Sequence, residues 1–149
     1  MTRVALSSVV FTLAALTGAA CVAGSAAPGE QPGAITGVID YAGAEVGPLR
    51  VVAYASFPPS GPPVARVTIA EPRFPQPYEL TGLAPGRYFV LAIIDTFDGD
   101  GDRYRPRVDP GGAFGRYDSP AAITLAGDRP ALDVDIELAA PTPGSPWDR

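Results

Sequence analysis

The stretch Pro77–Ile94, PYELTGLAPGRYFVLAII, decides the fold. Two apolar runs, 77–83 and 86–94, flank Leu83-Ala84-Pro85-Gly86. Pro85 and Gly86 suit the two central positions of a type II turn, because proline presets φ and glycine accepts a positive φ. The pair therefore reads as a hairpin. GRYFVLAII is apolar on both faces, which marks a central strand.

Five further runs fit strands: AITGVIDY (34–41), LRVVAYAS (49–56), VARVTIA (64–70), AAITL (121–125) and ALDVDIEL (131–138). In the last, Leu132, Val134, Ile136 and Leu138 fall on one face, opposite Asp133, Asp135 and Glu137. That is the alternation of a half-buried strand. In the first, Ile35, Gly37, Ile39 and Tyr41 share a face. PPSGPP (58–63) and EPRFPQP (71–77) break the pattern, because proline lacks the donor a ladder needs. No run has helical spacing long enough to prefer a helix. The expectation is an all-β domain, a seven-stranded antiparallel β-sandwich over 34–140.

Composition agrees. The 149 residues include 18 Pro and 17 Gly, yet 46% are hydrophobic, which suits short strands and frequent turns. The formal net charge is −5, with arginine the sole basic residue type. That balance excludes nucleic acid as the expected partner. There is no His, so the commonest general base and the commonest metal ligand are both missing. A metal here would be a hard cation held by oxygen.

The single cysteine, Cys21, permits no intrachain disulfide. Its setting is more telling. Arg3 precedes a mainly apolar segment, Val4–Leu16, and small residues Gly18-Ala19-Ala20 lead into Cys21. This is the layout of a secretory signal, too short to span a bilayer. Leu16 and Gly18-Ala19-Ala20-Cys21 resemble a bacterial lipoprotein signal, although Gly18 stands where that family prefers Leu. The resemblance implies cleavage after residue 20 and lipid on Cys21. With Val22 next, it implies a lipid anchor at the outer membrane or cell surface. Ordinary cleavage near Ala23 or Ala26 is the competing outcome. Residues 21–33, rich in Gly, Pro and Ala, read as a tether, and 141–149 as a flexible tail.

GAITGVIDYAG, GPLRVVAYA and PYELTGLAPGRYFVLAIID together resemble the transthyretin-like, carboxypeptidase-regulatory-like sandwich family. The likeness covers 34–94 and, weakly, the last strand. It implies a prealbumin-like Greek-key topology and a carbohydrate-binding-like fold. Such modules serve as accessory, adhesive or sugar-binding units, so the likeness bears on fold more than on function. The following stretch is also similar to small secreted bacterial sandwich proteins with an acidic loop after an apolar strand.

That loop is the chemically distinctive part. DTFDGDGD (95–102) carries Asp95, Asp98, Asp100 and Asp102. Asp98, Asp100 and Asp102 alternate with glycines that let the chain curl. Counted from Asp98, Asp109 is the twelfth position, as in a calcium loop. Arg103 replaces the required glycine, and neither flanking helices nor a bidentate Glu are present, so this is not an EF-hand. Three readings compete. Calcium would be held by Asp95, Asp98, Asp100, Asp102 and Asp109. Alternatively, Arg103, Arg105 and Arg107 pair with the carboxylates. The third is a catalytic or ligand site. Two carboxylates suitably spaced would serve a glycosidase. However, no apolar pocket, His or nucleophile elbow accompanies them, so no enzymatic activity is expected.

The sequence thus points to a non-catalytic, membrane-anchored extracytoplasmic interaction module, with an unknown protein or glycan as partner. Carbohydrate binding is the alternative. Its candidate stacking residues are Tyr54, Phe57, Tyr104, Phe114 and Tyr117. The 26 residues from Asp95 to Pro120 are long for a loop and need internal support. Phe114, Tyr104 and Tyr117 are expected to fold back onto the sheet.

Overall fold

The computed structural model describes residues 32–97, 104–105, 107–127 and 129–141. The expected signal, most of the expected tether with Cys21, the Asp98–Arg103 segment and the expected tail from Thr142 lie outside the described residues.

The described chain is all-β, with eight strands in two sheets. They are β1 (Gly33–Asp40), β2 (Leu49–Tyr54), β3 (Ala65–Ile69), β4 (Gln76–Leu83), β5 (Gly86–Ile94), β6 (Gly111–Ala113), β7 (Ile123–Leu125) and β8 (Ile136–Glu137). One sheet has the order β4-β1-β8 and the other β3-β2-β5-β6, with β7 also on β5.

The run 86–94 is central, as its two apolar faces demand. It pairs with β2 along 89–94, with β6 along 91–93 and with β7 along 86–88, always antiparallel. β6 and β7 continue one another along β5. Between them the chain bulges out over 115–120 and is closed by the Gly115–Pro120 bridge. The Ala121 N–H also donates to Phe114 O at 2.8 Å.

Four details differ from the expectation, the first being an eighth strand, β6, inside the 95–120 stretch expected to be a loop. The left-handed glycine of the β4–β5 hairpin is Gly82 (φ 77), not Gly86. The pairing is not wholly antiparallel, because β8 runs parallel to β1. The last run is also not one clean strand. Asp133 adopts φ 58, which breaks the pleat, so Leu132 is 64% exposed while Val134, Ile136 and Leu138 are buried. Backbone bonds from Ala131 to Ala34 O and from Val134 to Thr36 O still hold this segment beside β1.

A single core lies between the sheets. Ile35 and Ile39 from one side meet Leu49, Val51, Val90 and Ile94 from the other, all fully buried. Burying each such side chain contributes about 1.5–3 kcal/mol. The sheets join where Gly111 and Ala139 exchange hydrogen bonds of 3.2 and 3.0 Å. On the opposite side β3 and β4 lie against each other. A smaller cluster, Phe89, Leu91 and Ala113 with Val52, Tyr54 and Phe57, buries the outer face of β5.

The strand ends sort into two poles. Gly33 pairs with Leu83 beside the β4–β5 turn, so the chain enters β1 at that pole. The 41–48 and 70–75 segments, with residues 95–97 and 107–110, occupy the other.

Candidate functional site: the base of the acidic loop

Asp95 follows directly on β5, and Asp109 precedes β6 by one residue. The antiparallel pairing of β5 with β6 brings them to the same pole. Both are buried, Asp95 at 2% and Asp109 at 0% exposure. A buried carboxylate needs partners for both oxygens, and each has them.

Asp95 Oδ2 accepts from Arg50 Nη2 at 2.8 Å, and its Oδ1 accepts from the Phe97 N–H at 3.2 Å. Arg50 stands on β2, 45 positions away, and is itself largely buried. Asp95 is tied down further through its backbone. Its N–H donates to Pro48 O at 2.9 Å, and a Cβ on Gly47 would fall 2.0 Å from its carbonyl oxygen. The 41–48 segment is thus packed against the exit of β5.

Asp109 closes the loop. Its Oδ1 accepts from the Thr96 N–H at 3.0 Å and lies 2.8 Å from Thr96 Oγ1. Its Oδ2 accepts from the Arg105 N–H at 2.8 Å, with Arg105 Nε at 3.5 Å. The Asp109 N–H returns a bond of 2.7 Å to Arg105 O. Arg105 also lies over the Phe97 ring, 4.6 Å from its centroid. One carboxylate therefore fastens both ends of the segment between Phe97 and Val108.

Of the five carboxylates expected to hold a metal, the structure brings Asp95 and Asp109 to one pole. Asp98, Asp100 and Asp102 lie outside the described residues. The oxygens of Asp95 and Asp109 face arginines and N–H donors. A calcium ion would have to displace those donors, so these two do not fit as its ligands. Among the described residues no group of three metal-ligating side chains comes together. Of the expected arginine partners, Arg105 engages Asp109. The other buried pair uses Arg50, which no local reading would select.

The candidate aromatics are mostly engaged within the protein. Phe57 packs against Phe89 at 6.0 Å between centroids, and Phe114 packs on the main core. Tyr104 and Tyr117 share a hydroxyl–hydroxyl bond of 2.7 Å. The Tyr104 ring covers Gly111, where a Cβ would fall 2.6 Å from its hydroxyl.

A second feature lies at the same pole, between the segment joining β1 to β2 and the strand-breaking 71–77 run. Tyr41, Gly43, Ala44, Glu45, Val46 and Gly47 face Ala70, Glu71, Pro72 and Phe74 across a groove of about 370 Å³. No family model, curated protein or solved structure matches this chain.

Proposed function

We propose that this chain is an exported, lipid-anchored, non-catalytic interaction module with a prealbumin-like Greek-key sandwich. The observation that carries the reading is the separation of its poles. The tether joins at Gly33, beside the β4–β5 turn, whereas Asp95 and Asp109 base the acidic loop at the opposite end. A domain anchored through Cys21 would hold that loop away from the membrane. The loop's two described acids serve as fasteners, which supports a display role rather than proton transfer.

Stable attachment rests on acylation at Cys21. Cys21→Ser is expected to move the protein from the membrane fraction to the soluble fraction, or to block processing of the signal. Unchanged membrane fractionation overturns the anchor.

Calcium at Asp98, Asp100 and Asp102 is the second reading. It is favoured by the Thr96–Asp109 closure, which draws the ends of that segment together. Under it, calcium at 100 times Kd adds about 2.7 kcal/mol. Melting in calcium should then exceed melting in chelator by roughly 10–20 °C. Superimposable curves at millimolar calcium would leave the loop to its arginines.

A further inference from the structure

The groove between the 41–47 and 70–74 segments has a one-sided chemistry. Tyr41 and Phe74 form its aromatic part, edge to face, with centroids 5.8 Å apart and planes at 72°. Pro72 adds to the apolar lining, and Glu45 and Glu71 supply its charge. No basic side chain lines it. Arg73, in the same segment, makes no ion pair among the described residues; its backbone N–H donates to Gln76 Oε1 at 3.0 Å. Neither glutamate has a cationic partner among the described residues.

The groove is preformed. Tyr41 donates its hydroxyl to Glu45, which fixes both side chains. Burial, then the bond and charge of Glu45, push the Tyr41 hydroxyl up to about 12. The same bond holds the Glu45 carboxyl below its ordinary value, so it stays ionised. Gly43 leaves room for the ring: a Cβ there would fall 2.2 Å from the Tyr41 hydroxyl. The segment is locked from behind by Gly47 against Asp95.

We propose that this groove receives the side chain of an arginine or lysine presented by a partner polypeptide. The aliphatic stem lies along Tyr41, Pro72 and Phe74, and the cationic head meets Glu45 and Glu71. Each feature answers to that occupant. Aromatic rings attract a cation over their faces or pack its stem. Carboxylates with no cationic partner among the described residues supply charge-assisted bonds. A polypeptide fits better than a small free cation. The groove is open, and Val46 beside it is 84% exposed, offering apolar contact to neighbouring residues of a peptide. The inference rests on the interaction-module reading and names its partner class.

The test titrates the full chain in detergent with an acetylated, amidated Gly-Arg-Gly-Arg-Gly peptide. The citrulline peptide of the same shape but no charge is the control, and calorimetry the readout. The arginine peptide should bind at least about tenfold more tightly than its control. Glu45→Gln/Glu71→Gln should abolish that ratio, since glutamine keeps an acceptor for Tyr41 and removes only charge. Asp98→Asn/Asp100→Asn/Asp102→Asn should preserve it. If the groove double variant keeps the ratio while the loop triple variant loses it, the site is the loop and the groove proposal fails. A wild-type chain that does not distinguish the two peptides also overturns it. A free guanidinium salt that competes as well as the peptide would overturn the polypeptide assignment. Membrane fractionation, which tests the anchor, is independent of all these variants.

Discussion

Gly37→Ala should lower stability by about 3 kcal/mol, combining overpacking with a lost buried bond. For a domain of this size that is a fall in Tm of roughly 10–20 °C. Gly37 sits mid-way along β1, between β4 and the segment leading to β8. A Cβ there would fall 2.1 Å from Val134 O and 2.4 Å from its carbonyl carbon, both backbone atoms. Neither yields cheaply, because Val134 N–H is bonded to Thr36 O at 3.0 Å. The same space is crossed by Tyr78, the partner of Gly37 on β4. Its buried hydroxyl reaches over β1 and donates to Val134 O at 2.7 Å. Burial, reinforced by the Asp135 charge, pushes that hydroxyl well up, so it remains a donor throughout the usual pH range. Thermal unfolding of Gly37→Ala beside Tyr78→Phe separates the two contributions. The phenylalanine variant should lose only the bond, about 1–2 kcal/mol. A Gly37→Ala chain melting within about two degrees of wild type would refute the close approach.

The second large effect is expected at Asp109. Asp109→Ala should cost about 3–5 kcal/mol, because it strands buried donors and removes a buried carboxylate from beside Arg105. Thr96 N–H and Arg105 N–H lose their acceptor, and the Arg105 guanidinium loses the carboxylate 3.5 Å from its Nε. Urea unfolding should show a lower midpoint with an unchanged slope. The contrast is Asp118→Ala, which removes an ion pair whose side chains are 78% and 62% exposed. Such a pair is worth about 0–1 kcal/mol. The loss at Asp109 should be the same in calcium and in chelator, since its oxygens are held by the protein. A loss seen only in calcium would make Asp109 a ligand after all.

Much of the fold could be read from local pattern. Each of the seven apolar runs carries a strand, and the doubly apolar 86–94 run is central because nothing but strands and loops could cover both its faces. β6 escaped notice for a physical reason. Gly111, Gly112 and Ala113 have no alternation to detect, yet the free edge of β5 demands donors and acceptors there. Only small residues fit, since a Cβ on Gly112 would fall 2.5 Å from Glu137 O. The parallel course of β8 is equally silent in the sequence, because alternation says which face is buried and not which way a strand runs.

The candidate site divides in the same way. Asp95 and Asp109 stood out as carboxylates, but their partners were set by tertiary folding. Arg50 reaches Asp95 from another strand, and Thr96 meets Asp109 only because β5 and β6 pair. The groove was hidden because Tyr41 and Phe74 come from separate segments, and only the prolines around Phe74 stood out, as strand breakers.

The parallel course of β8 beside β1 also has a mechanical meaning. The chain enters β1 at the Gly33 pole and runs out past Leu138 at the other. A pull between the two ends of the domain therefore acts along both strands, in opposite senses. The bonds from Thr36 N–H to Ala131 O, from Ala131 to Ala34 O, from Val134 to Thr36 O and from Leu138 to Asp40 O then share the load. They are sheared together rather than unzipped one by one, which is the stiffer arrangement.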